Sequence, residues 1–247
     1  MFSPDERELL RQTLLSNARA DDRISGAALT GSAAQGCEDS FSDIDLAFGV
    51  VSGIDLSLVI ADWTTQMYQD HNAVHHTDMT SGPVLYRVFF LGNTLQVDLA
   101  FSSEDHFGAI APSFRLIFGR DRELPEVAWP ASNELIGMGW LHALHARSSI
   151  ARKRVWQAEY MVSGFRYQAL ALACLREGVS PNQGRGIDSL SSEITDRFAA
   201  GIVRSLNVTE LKRAFGAVGV EFLGEIERVD LELAHRLTEP LQELTRA

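Results

Sequence analysis

The sequence predicts an α+β protein in two parts: an α/β N-terminal domain over residues 1–125 and an all-helical C-terminal domain over residues 133–247. Three observations predict it. Short apolar or alternating runs, the mark of strands, recur up to about residue 119. Residues 121–132, DRELPEVAWPAS, carry Pro125 and Pro130 and read as a linker. Beyond that linker the apolar spacing is helical almost throughout. A chain of 247 residues has room for one large domain or two small ones.

The elements follow in order. Ser3 can cap a helix that has Pro4 at its first position and Glu6 closing a capping box. Leu10 and Leu14 then recur at helical spacing, and Leu9 and Leu15 widen that face. Ala27-Ala28-Leu29 reads as a buried strand ending at Gly31-Ser32. After a polar, Gly-containing stretch, Asp43 to Phe48 starts with strict alternation and reads as a two-faced strand. Residues 54–70 read as a helix. Strands are expected at 84–91 and 95–101, joined by a turn at Gly92-Asn93, with a further short strand at 115–119. In the C-terminal half, helices are expected at about 133–150, 154–177, 189–200, 208–219 and 221–238, with a clear break at 178–187. Pro240 should end or kink the last of them. No internal repeat or low-complexity segment is present.

Composition excludes several classes. Hydrophobic residues make up 45% and charged residues 22%, as in ordinary globular proteins. No run of eighteen apolar residues exists, so no membrane partner is expected. The start, MFSPDERELL, has no basic segment followed by an apolar one, so the expected location is cytoplasmic. Cys37 and Cys174 lie far apart and match no metal or redox spacing, which fits a reducing compartment. The net charge of −11 argues against nucleic acid as a partner, because phosphate backbones are held by Lys and Arg. It suits a small or cationic substrate better.

The chemistry centres on three carboxylates. Asp43 and Asp45 are two apart on a strand, so they share a face while Ile44 and Leu46 point the other way. Two adjacent carboxylates repel unless a cation neutralises them, and hard oxygen ligands suit Mg²⁺, which commonly uses one or two carboxylates plus substrate phosphates. Alone, Asp-x-Asp reads better as an edge strand with a solvated acidic face. Two further features favour the metal. Gly31-Ser32 follows a strand directly: Gly lets a phosphate approach the backbone, Ser adds a hydroxyl, and the next helical turn offers free N–H groups. Asp98, flanked by Val97 and Leu99, puts a third carboxylate on the polar face of a strand, where acids are disfavoured. Three such groups would complete a site for two Mg²⁺ ions, roughly 3.5–4 Å apart in enzymes of that kind.

The run from Gly31-Ser32 through Gly36 to Ser42-Asp43-Ile44-Asp45, with the later strand Asp98, resembles the polymerase-beta-like nucleotidyltransferase superfamily. The resemblance covers roughly residues 27–101. It implies a mixed sheet flanked by helices, Gly31 and Ser32 on the triphosphate of an NTP such as ATP, and Asp43, Asp45 and Asp98 on Mg²⁺. The helical half looks like that of the aminoglycoside and lincosamide nucleotidyltransferases, with a looser likeness at Trp156–Arg166. That likeness implies transfer of AMP to a small-molecule acceptor, with a carboxylate as general base.

Glu159, Ser163 and Arg166 share one helical stripe, which makes Glu159 a candidate base; Asp98 competes for the role. Arg185, in a Gly-rich loop, is a candidate phosphate or acceptor contact. Arg147, Arg152, Lys153 and Arg154 form a basic cluster that reads equally as a solvated helix end. His71 and His75, four apart on an expected helix, lack a third ligand and read as surface histidines. Two rival functions stay open: a protein-modifying AMP transferase, separable by whether label from ATP enters protein, and a nucleotide-binding module without turnover, separable by pyrophosphate release.

Overall fold

In a computed structural model, which describes residues 1–246, the chain is α+β and forms two compact units, Met1–Val127 and Ala128–Ala247. The first unit runs α1 (Pro4–Ala20), β1 (Ile24–Thr30), α2 (Gly31–Gln35), β2 (Ile44–Val50), α3 (Leu56–Asp70), β3 (Ala73–Ser81), β4 (Val84–Leu91) and β5 (Gln96–Ser103). It continues with β6 (Gly108–Ala109), β7 (Phe114–Phe118) and β8 (Arg122–Glu123). The main sheet has the order β3-β4-β5-β2-β1-β7. It is mixed: β2 and β5 are parallel and every other neighbouring pair is antiparallel. β6 and β8 make a separate two-stranded pair.

One face of the sheet is the core. Ile44, Leu46 and Phe48 of β2 and Val97, Leu99 and Phe101 of β5 pack with Leu14 and Ala18 of α1 and with Val59, Trp63 and Met67 of α3. Phe48, Trp63 and Phe101 meet as tilted and edge-on rings, with centroids 4.7 to 6.1 Å apart. The alternation in β2 therefore sends Asp45 to the opposite face. The capping box at α1 forms as expected: Glu6 N–H donates to Ser3 Oγ at 3.2 Å, and Ser3 N–H donates to Glu6 Oε2 at 2.7 Å.

The second unit is helical: α4 (Ser132–Ala151), α5 (Val155–Arg176), α6 (Ser192–Ala199), α7 (Val208–Val229) and α8 (Leu231–Arg246). Its core joins Ala143, Phe165, Leu172, Phe215, Phe222 and Leu241 among others. No helix among the described residues is long and apolar enough to cross a membrane.

Four expectations are corrected. First, β3 replaces the helix assumed for His71 and His75: His71 ends α3 and His75 lies on the strand. Its sequence, AVHHTDMTS, is almost wholly exposed because β3 is an edge, so no apolar period marks it. The usable signal is the Ser81-Gly82-Pro83 turn, with Gly82 at φ 55°, which folds β3 back on β4. Second, α7 runs unbroken through the expected gap near residue 220. Gly219 is there for close packing, since a Cβ on it would lie 2.6 Å from Thr245 Cγ2 of α8. Third, the break falls at Asp230, whose carboxylate caps α8 by accepting from Leu233 N–H at 2.9 Å. Fourth, α8 continues through Pro240, which is exposed, because Ala234, Leu241 and Leu244 keep a buried stripe on the other side.

Candidate active site on the sheet

The register places the site. Asp45 of β2 stands directly beside Asp98 of β5, and Ile44 beside Val97. Asp43, one residue before β2, keeps the same parity, and its Oδ2 accepts from Gln96 Nε2 at 3.0 Å. Parallel pairing is what makes this possible. It brings the N-terminal ends of two strands together, so acids more than fifty residues apart become neighbours.

Gly31, directly after β1, lies against Asp45. A Cβ built on it would be 2.9 Å from Asp45 Cγ, with Oδ2 closer still, and its φ is 57°. Only glycine fits on both counts. Residues 31–35 form one short turn of helix, half-buried at Ser32 and closed by Gly36 at φ 68°. The glycine lets the Asp45 carboxylate pack directly against the backbone at the end of β1.

Asp98 is mostly buried and its Oδ1 has no hydrogen-bond partner among the described residues. Burial, reinforced by the charge of Asp43, pushes its pKa up to about 6. On the next strand the Tyr86 phenol is also pushed up, by burial first and then by the Asp98 charge. A buried carboxylate with an unsatisfied oxygen is costly on its own, and a cation would relieve it. Among the described residues no three His, Cys, Asp or Glu side chains converge into a ready metal cage. The donor set instead fits an ion completed by substrate oxygens, the usual habit of Mg²⁺.

Sequence reasoning missed the groups that hold the loop before β2. Arg7 and Arg11 lie buried on the inner stripe of α1. Arg7 Nη1 donates to the carbonyls of Asp39 (2.6 Å) and Ser42 (2.9 Å), and Arg11 Nη1 donates to Glu38 Oε1 at 2.8 Å. Asp39 accepts from Phe41 N–H at 2.8 Å and Ser42 Oγ at 3.1 Å. The loop that delivers Asp43 is thus clamped from α1. The signal was available: arginines at 7 and 11 fall in line with Leu14 and Ala18 on an otherwise apolar stripe, where unpaired charge does not persist.

The remaining candidates lie in the helical unit. Glu159 of α5 is half-buried and its Oε1 accepts from Ser163 Oγ at 2.7 Å. Arg166 donates from Nη1 to Gly201 O at 3.0 Å; burial lowers its pKa while the Glu159 charge works the other way. The expected stripe is therefore an interacting group. Arg185 is exposed between two short 3₁₀ turns, with only its backbone N–H engaged, to Asn182 O at 3.0 Å. Arg147, Arg152, Lys153 and Arg154 are exposed around the α4–α5 turn. The structure thus gathers Gly31, Ser32, Asp43, Asp45 and Asp98 in the sheet unit, and carries Glu159 and Arg185 in the other.

No protein-family model matches the sequence, and no curated protein matches it. Among solved structures, the chain is similar to an aminoglycoside 6-adenyltransferase from Bacillus subtilis, with 13% identity, all of both chains covered and a TM-score of 0.44.

Proposed function

We propose that this protein is a Mg²⁺-dependent nucleotidyltransferase that moves a nucleoside monophosphate, AMP in the simplest case, from an NTP to a hydroxyl of a small acceptor. The observation that carries the reading is Asp45 and Asp98 side by side in register, with bare Gly31 against the first and an unsatisfied buried oxygen on the second. Asp43, Asp45 and Asp98 would hold Mg²⁺, which when bound neutralises phosphate charge and orients the triphosphate. Gly31 and Ser32 receive the phosphate tail through backbone N–H groups and the Ser32 hydroxyl.

In the reaction the acceptor oxygen forms a bond to the α-phosphorus. The bond from that phosphorus to the β-bridging oxygen breaks, and pyrophosphate leaves with the electron pair. The acceptor proton passes to a carboxylate. Glu159 is the first candidate for that base, with Asp98 its competitor because it stands in register beside Asp45. The acceptor belongs to the hydroxylated small molecules, the class that includes aminoglycoside and lincosamide antibiotics, and the reaction takes place in the cytoplasm.

The test is a matrix of NTPs against hydroxylated compounds and antibiotics with Mg²⁺, read by mass shift of the acceptor. A gain of one nucleoside monophosphate, absent in Asp45→Asn, is the expected result. Label entering protein instead, or no Mg²⁺-dependent NTP binding, would sink the reading. Glu159→Gln decides between the bases: as general base its loss should slow turnover by about 10²-fold with NTP affinity unchanged. A loss under about tenfold hands the role to Asp98.

A further inference from the structure

The face of the sheet that carries the carboxylates continues onto β4 and β3, and its chemistry changes there. Val88 of β4 stands beside Asp98, and Thr77 of β3 beside Val88. In the neighbouring row, Phe90 stands beside Gln96 and His75 beside Phe90. Phe90 is 52% exposed, although strand side chains of that size are normally covered. His75, Thr77, Val88, Phe90 and Gln96, with the intervening His76 and Phe89, line a half-open depression of about 130 Å³. Gln96 ties this depression to the carboxylates through its bond to Asp43.

Charge on this floor is as telling as shape. The acid of β3, Asp78, has the opposite parity from Thr77 and is engaged by Arg87 through two bonds of 2.7 Å, while Arg87 also reaches Thr64 of α3. Asp78 therefore belongs to the helix-covered side. Among the described residues of β3 and β4, no carboxylate shares the face of Val88 and Phe90.

Direction follows from the proposed reaction, on which this step rests. In-line displacement puts the attacking oxygen opposite the leaving pyrophosphate. Gly31 and Ser32, on the β1 side of Asp45, take the phosphate tail. The acceptor then approaches from the β5 side, with its body over β4 and β3. We infer that the floor formed by His75, Thr77, Val88, Phe90 and Gln96 is the acceptor subsite, and that the acceptor carries an apolar or aromatic face next to its reacting hydroxyl. An acceptor bearing several ammonium groups finds no carboxylate on β3 or β4 of this face, and the nearest, Asp98 beside Val88, is taken up by the ion in the proposed reaction, so polycationic sugars are disfavoured there.

The test is amide NMR of the full chain with Mg²⁺ and α,β-methylene-ATP, which cannot transfer its nucleotide. Two probes are titrated separately: 2-phenylethanol, a neutral alcohol with one ring, and 2-deoxystreptamine, a cyclic diamine of similar size. 2-Phenylethanol should shift the amides of Thr77, Val88 and Phe90. Phe90→Ser should raise its half-saturation concentration roughly fivefold or more, as expected when a phenyl contact is lost. Val88→Thr, nearly isosteric, should weaken it in the same direction while the amides of the rest of the sheet stay in place. No shift on β3–β5, or stronger binding of 2-deoxystreptamine at those amides, overturns the inference. The nucleotide reading is separated by the amides of Gly31 and Ser32. If they ignore the analogue while 2-phenylethanol still binds, the apolar site stands and the transferase reading falls.

Discussion

Glu225 in the helical unit and Asp98 in the sheet unit are both carboxylates withdrawn from water, and their surroundings are opposite. Glu225 is fully buried on α7 and is met by three arginines: Arg176 at 3.0 Å, Arg228 at 3.0 Å and Arg197 at 3.4 Å. Its charge is neutralised inside the fold. Asp98 has Oδ1 without a hydrogen-bond partner, and the nearby charge acting on it is the like charge of Asp43. Burying a charge costs several kcal/mol unless it is compensated. The first carboxylate carries its compensation in the sequence; the second has one oxygen without a partner among the described residues.

The largest effect that would break the contrast is at Asp45. If the pair with Asp98 holds an ion that stabilises the transferring phosphoryl group by several kcal/mol, Asp45→Asn should lower turnover by about 10³-fold while circular dichroism stays native. Near-native turnover at saturating Mg²⁺ would leave the carboxylates as a plain acidic patch. Next comes the structural side. Glu225→Gln leaves three arginines facing a neutral amide and should cost the helical unit about 3 kcal/mol in urea unfolding. A change below about 1 kcal/mol would show that solvent, not Glu225, balances those arginines.

Asp98 should behave in the reverse sense. Its folded pKa, about 6, lies above the ordinary carboxylate value of 3.8. The folded protein therefore holds an extra proton between those values and loses stability as pH rises through that window. Without metal, Asp98→Asn should stabilise the protein by about 3 kcal/mol at pH 7.5. Well below the ordinary value of 3.8, where wild-type Asp98 is protonated in both states, the gain should vanish. Mg²⁺ with nucleotide should raise the wild-type melting temperature more than that of the variant. A destabilised variant at pH 7.5 would contradict the unsatisfied-charge account. The smallest effect sharpens the phosphate side: Ser32→Ala should raise the KM for ATP roughly tenfold, the worth of one hydrogen bond to a charged oxygen. An unchanged KM would remove Ser32 from the nucleotide site.

The sequence by itself determined the elements that carry a strong local period or a cap. The Ser3-Glu6 capping box, the alternation of β2, the β4–β5 hairpin and the first two long helices of the C-terminal half all follow from residues within a few positions of one another. It also singled out Gly31, Asp43, Asp45 and Asp98, because glycine after a strand and acids on a strand face are locally anomalous.

Tertiary structure decided what depends on distant partners. β3 exists because β4 supplies its hydrogen bonds, not because AVHHTDMTS has a period of its own. Gly219 packs against Thr245 of another helix, so it marks a close approach and not a stop. Pro240 stays helical because the stripe of Ala234, Leu241 and Leu244 is buried. The neighbouring positions of Asp45 and Asp98 come from a parallel pairing bridged by α3, β3 and β4, which no local pattern specifies. The clamp of Arg7 and Arg11 on the loop before Asp43 spans about thirty residues of sequence. Local preferences select dihedral angles over a turn or a strand, whereas register and ion pairing are fixed only when the whole sheet closes on its core.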